Sequence, residues 1–162
     1  MSGYAQGTAV PVDRSKAEIE RLLSRYGCSQ FGSGWANDGG QVYAHVTFRH
    51  GATSIMLALP MLRADSDEIQ CYPMRRGQYF KRKRSKESAE EAYRAEERRR
   101  WRALALVIKA KLEAVHSGIS TLEREFFSDV VLPDGTTLGQ RLIPQLEAIQ
   151  NGRLALPEHT GG

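Results

Sequence analysis

Cysteine is scarce. Cys28 and Cys71 lie 43 positions apart in 162 residues, which excludes a disulfide framework and leaves two reduced thiols as the expectation. No C-x-x-C pair occurs and the four histidines are scattered, so the spacing of a zinc site is missing and neither a metal nor another cofactor is expected. No apolar run approaches the roughly 20 residues of a membrane-spanning helix. The opening "MSGYAQGTAVPVD" has no basic start and no apolar core, so the chain reads as cytosolic, with no membrane partner. Enzyme signatures are missing too: there is no Walker loop, no G-x-S-x-G and no H-E-x-x-H. The glycine stretch "FGSGWANDGG" lacks the order of strand, phosphate turn and helix that a dinucleotide site demands. Asp65, Asp67 and Glu68 share a loop without the lysine of a magnesium nuclease centre and read as surface. The expectation is a protein without catalytic residues.

What the chain does have is an uneven charge. At 41% hydrophobic and 26% charged it sits near globular averages, long enough for one self-sufficient domain. The net charge of +4 hides twelve Lys and Arg against five Glu between residues 75 and 102, a local +7. The remainder, eleven positive and fourteen negative residues, comes to −3. A field of that sign concentrates polyanions, of which nucleic acid is the commonest in a cytosol. Within it, "YFKRKRSKESAEEAYRAEERRRW" is either a hand for phosphates or the solvated start of a long helix. As a hand, Arg75, Arg76, Lys81, Arg82, Lys83 and Arg84 meet phosphates and release counterions, while Tyr79 and Phe80 stack on unpaired bases. Arg98 and Arg99 form a second basic cluster, beside a Trp101 that reads as a core anchor.

Periodicity supplies the scaffold. Residues 1–12 and 151–162 read as loose tails around a single domain over 13–150. Ser15 and Glu18 fit a capping box, opening a helix that Gly27 ends. Val42, Ala44, Val46 and Phe48 alternate with Tyr43, His45, Thr47 and Arg49, and Ile55, Leu57 and Leu59 repeat the pattern beyond a turn at Gly51, which predicts a β-hairpin. A further strand over 31–36 joins through Asn37-Asp38-Gly39-Gly40, and 68–72 offers a fourth. Ser85 or Ser88 opens a helix running to about His116, whose second half, "WRALALVIKAKLEAV", is apolar nearly all round and predicts burial. Ser120 starts a short helix, and Leu132-Pro133-Asp134-Gly135 turns into a last helix capped by Thr136 that Pro144 should bend or divide. These elements make an α+β fold, a small antiparallel meander packed on a long helix. On its outward face Tyr43, His45, Thr47 and Arg49 project together, so Tyr43 and Arg49 join the candidate nucleic-acid contacts.

The block "WRALALVIKAKLEAVHSGISTLEREFFSDVVLPDGTTLGQ", residues 101–140, resembles a family of small, largely uncharacterised phage and prophage proteins, and "EIERLLSRYG", residues 18–27, is similar too. The resemblance implies a phage setting in a bacterial host cytosol and carries no catalytic residue over. Residues and resemblance together predict a non-catalytic nucleic-acid-binding accessory protein, with single-stranded DNA as partner, in replication or recombination. Homo-oligomerisation would extend the track. The alternative is an anti-defence or regulatory role, in which the basic surface engages an acidic host protein.

Overall fold

The computed structural model describes residues 9–152. Strands β1 (Ser29–Asp38), β2 (Gln41–His50) and β3 (Thr53–Met61) form an antiparallel meander in the order β1-β2-β3. Both connections are two-residue turns. Gly39 and Gly40 take φ of 56° and 87°, and Gly51 takes 57°, conformations that hairpin turns need and side chains with a Cβ resist. Strict alternation then decides the faces: Ala44, Val46 and Phe48 of β2 and Ile55, Leu57 and Met61 of β3 are buried.

Helices α1 (Ala9–Arg25) and α3 (Lys86–His116) complete the core. Ile19 and Leu23 enter it from α1, and Trp101, Leu104, Ala105, Ile108 and Leu112 enter it from α3 at helical spacing. Trp101 is fully enclosed, as its reading as an anchor requires. The α+β architecture and the three-stranded meander stand as the sequence predicts.

Several elements differ from the sequence reading. Helix α1 starts at Ala9, with Ser15 inside it and Val12 buried in the core. A cap at Ser15 would have left Val12 exposed, so apolar burial outweighs the capping pattern. The tail readings over 1–8 and 153–162 lie outside the described residues. No fourth strand forms over 68–72: a one-turn helix α2 (Asp67–Gln70) buries Ile69, and only Cys71 keeps a β-bridge, to Lys83. The apolar second half of α3 is buried on one side alone, with Leu106 61% and Val107 47% exposed, because a two-layer fold covers a helix from one direction only.

The carboxyl-terminal segment closes the open end of the core. Thr121 caps α4 (Leu122–Glu125), one residue beyond the expected Ser120, and Phe126 is fully buried edge-on to Phe48 at 5.5 Å. A 3-10 turn (Phe127–Asp129) follows, and Val130 bridges to Ile55 at the edge of β3. The expected turn forms, with the Gly135 N–H donating to the Leu132 carbonyl at 2.9 Å. Thr137, rather than Thr136, caps α5 (Leu138–Gln150) in a full capping box with Gln140. Helix α5 runs on past Pro144 undivided.

Polar residues in the second half of α3 have packing partners. Lys111 donates to the Glu125 carbonyl and stands 5.0 Å over the Phe126 ring. The Tyr26 hydroxyl donates to Glu113 at 2.9 Å and its ring meets His116 edge-on at 5.7 Å. These residues lock α1, α3 and α4 together.

Candidate nucleic-acid interface

The basic segment is divided by Ser85, whose side chain accepts from the Ser88 N–H and so starts α3. Everything before it, residues 73–84, is an excursion outside the core. Its base is a short ladder: the Tyr72 N–H donates to the Arg82 carbonyl and the Arg84 N–H to the Gln70 carbonyl, each at 2.8 Å. Its far end is a tight turn in which the Gln78 N–H donates to the Arg75 carbonyl at 3.0 Å, while the Gln78 side chain accepts from the Arg75 N–H at 2.8 Å. Gly77 sits at the turn position that needs positive φ, at 87°. A hydrogen-bonded base and a closed turn make this a finger.

Tyr72 is the post of that finger. Its hydroxyl lies 3.1 Å from Ser88 Oγ on α3, and the guanidinium carbons of Arg82 and Arg84 each stand 4.4 Å from its ring centroid. Cations above an aromatic face are held by the ring quadrupole, and their remaining N–H groups stay available to an anion. Lys81 is tied at 2.7 Å to Asp67 on α2, which draws the carboxyl below its usual range and raises the ammonium above its own. Among the described residues Arg75, Arg76 and Lys83 form no side-chain ion pair. Between these cations Tyr79 and Phe80 are 89% and 86% exposed, with Met74 exposed as well. Burial is the rule for such rings, and two adjacent ones left in water form an outlier that points to a ligand.

The second cluster belongs elsewhere. Arg98 pairs with Glu91 at 3.3 Å, while Arg99 and Arg100 both pair with Glu96 at 2.8 and 2.6 Å. The two guanidiniums hold the Glu96 carboxyl below its usual value, with the Arg99 hydrogen bond the largest cause. Arg84 and Arg99 line one groove of about 780 Å³ along α3, but Glu68, Glu91 and Glu96 line it too, so the groove is mixed in sign. Arg98 and Arg99 are therefore helix-surface charges that answer their own carboxylates, not part of the finger.

On the sheet, Tyr43, His45, Thr47 and Arg49 share the face opposite the core and are all half-buried. A methyl group at Gly34 would lie 2.7 Å from the His45 ring, and one at Gly32 would lie 2.9 Å from Thr47 Oγ1. The central side chains thus rest on bare backbone. Arg49 turns to the Gly51 carbonyl at 3.1 Å. Among the described residues no group of three His, Cys, Asp or Glu stands close enough to hold a metal; Asp65 faces Arg63 and Asp67 faces Lys81. No described helix is long and apolar enough to cross a membrane. Sequence reasoning named Tyr72 only as a ring that could stack on bases and Lys81 only as a phosphate contact, since nothing in the pattern places residue 72 against 82, 84 and 88 or residue 81 against Asp67.

Fold and site together define an α+β meander domain bearing an ordered basic, aromatic finger. No family model, curated protein or solved structure matches the chain.

Proposed function

We propose that the protein is a non-catalytic binder of single-stranded nucleic acid, serving DNA metabolism in the phage setting that the carboxyl-terminal resemblance implies. One observation carries this function: Tyr79 and Phe80 stand almost wholly in water at the end of an ordered loop ringed by Arg75, Arg76, Lys81, Arg82 and Lys83. Exposed rings offer stacking surfaces to any base, worth about 1–3 kcal/mol each, and the cations follow the phosphates. A duplex hides its base faces, so the same finger prefers a single strand.

Fluorescence anisotropy of labelled single-stranded and duplex oligonucleotides across a salt series tests it. The wild-type chain is expected to prefer the single strand, with affinity falling steeply as salt rises. Tyr79→Ala with Phe80→Ala should lower affinity on the order of tenfold or more at unchanged salt slope. Arg75→Ala, Arg76→Ala and Lys83→Ala together should reduce that slope by about 2. Vesicles of anionic lipid form the control arm, because aromatic and basic loops also enter membrane surfaces. Protein captured by vesicles and not by oligonucleotides, or bound by neither at near-physiological salt, would overturn the proposal and direct the search to an acidic host protein.

A further inference from the structure

The outer side of α3 carries an apolar stripe, Ala103, Leu106, Val107 and Ala110, that no described element covers, with Arg99, paired to Glu96, toward one end and Glu113, which accepts from the Tyr26 hydroxyl, toward the other. Arg99, Ala103, Leu106, Val107, Ala110 and Glu113 are all exposed, and at helical spacing they run along the side opposite the buried row of Trp101, Leu104, Ala105, Ile108 and Leu112. A helix with a core on one side is ordinarily polar on the other. Here Leu106, 61% exposed, stands between two alanines, and small residues beside a large one make the hole that an identical knob fills.

The charges say what covers it. Arg99 lies seven residues before Leu106 and Glu113 seven residues after it, two turns in each direction. A second copy laid antiparallel about a two-fold axis at Leu106 would bring Arg99 of each helix beside Glu113 of the other, flanking a contact between the two Leu106 side chains. A parallel copy would set Arg99 against Arg99 and Glu113 against Glu113. Recruiting Arg99 strands nothing, because Glu96 also holds Arg100 at 2.6 Å, and Glu113 can keep its Tyr26 bond on one carboxylate oxygen while the other meets Arg99 of the second copy. Isologous contacts of this kind are the commonest in soluble oligomers.

We infer that two copies of this chain associate antiparallel through the Arg99-Leu106-Glu113 stripe of α3. Its consequence for the proposed function rests on that reading: Leu106 lies 20 residues from the start of α3 at Lys86, about 30 Å, so the dimer points its two fingers outward at opposite ends. Two tethered sites raise avidity for a strand long enough to reach both.

Sedimentation velocity of the full chain over a concentration series reads the association directly, without nucleic acid. The wild-type chain is expected to pass from monomer to dimer, and Leu106→Glu, at an exposed position that leaves the fold intact by circular dichroism, to remain monomeric. Arg99→Glu alone should weaken the dimer on the order of tenfold, by opposing like charges at both ends, and adding Glu113→Arg, with the fold checked by circular dichroism because this change also removes the Tyr26 bond, should restore it. Under mild oxidation Leu106→Cys should cross-link to itself and Ala110→Cys should not, since an antiparallel pair separates the two copies of residue 110 by about 12 Å along the axis. A chain monomeric throughout, a dimer that survives Leu106→Glu, or equal cross-linking at 106 and 110 overturns the inference. None of these outcomes touches the strand-binding reading, which the finger variants test separately.

Discussion

Glu97 shows how one residue escapes its pattern. In the sequence it is one more acid in a run of alternating charges, and the run reads as solvated. In the structure the neighbouring Glu96 meets two guanidiniums while Glu97, one position further round the helix, turns inward and is only 9% exposed. Desolvation is the largest influence on its carboxyl and pushes the pKa up from the ordinary 4.5, with Lys16 and Arg98 pulling the other way. A raised folded-state value means that the native chain holds the proton more tightly than the unfolded one. Stability is therefore greatest below the ordinary value and falls as pH rises through the raised one. Glu97→Gln removes the titration, so its stability relative to wild type should climb across that window and level off above it. Urea denaturation midpoints measured from acid to neutral pH check this; parallel curves for the two proteins would refute it. Tyr79 and Phe80 escape in the opposite direction. Sequence flagged them as candidates from their basic neighbours, but only the backbone of the finger shows that they have no core to enter.

At the scale of elements, periodicity was legible and boundaries were not. β2 and β3 were plain because apolar residues alternate without a break, and the long helix was plain because Ser85 and a 3.6-residue pattern agree. The misplaced starts share one cause. Ser15, Ser120 and Thr136 each offered a hydroxyl to the wrong amide by one or more residues, and burial of Val12 and Phe126 together with the backbone bridge of Val130 to Ile55 set the frame. The last turn adds a second constraint. Asp134 accepts from the Thr136 N–H at 3.0 Å and from its hydroxyl at 2.7 Å, and it also receives the Arg141 guanidinium. The Thr136 bonds are the leading cause that holds its carboxyl at about 2, against an ordinary 3.8. A depressed folded-state value contributes stability above the ordinary pKa and loses it as pH falls toward the lowered one. Asp134→Asn should therefore be less stable than wild type at neutral pH, and the gap should close between pH 3.8 and about 2. Thermal melts of both proteins over that range decide it, and a gap independent of pH would show that the ionised form is not what orders the turn.

For the whole molecule the decisive relation is between a core and an excursion. The core joins α1, the sheet, the second half of α3 and Phe126, and none of residues 73–84 contributes to it. The finger leaves and returns at one place, the Cys71–Lys83 bridge, and is otherwise held by its Tyr72 post and the Lys81 pair with Asp67. Half of the basic segment's charge, Arg75, Arg76, Lys81, Arg82, Lys83 and Arg84, thus sits on a part of the chain that adds no side chain to the core. Nucleic-acid affinity and stability should then be separable, an outcome that a basic cluster built on core helices would forbid. Replacing residues 74–80 with a short glycine and serine turn keeps the ladder at the finger's base and removes Arg75, Arg76, Tyr79 and Phe80 together. Changing loop length by a few residues costs only tenths of a kcal/mol in closure entropy, so the melting temperature should hold to within a few degrees. Single-strand binding should fall to the weak, steeply salt-dependent level of a general positive surface. A large loss of stability would mean that the finger is a structural strap. Unchanged binding at unchanged stability would move the interface to the outer face of the sheet, where Tyr43, His45, Thr47 and Arg49 are the aromatic and basic groups gathered on the opposite side from the core.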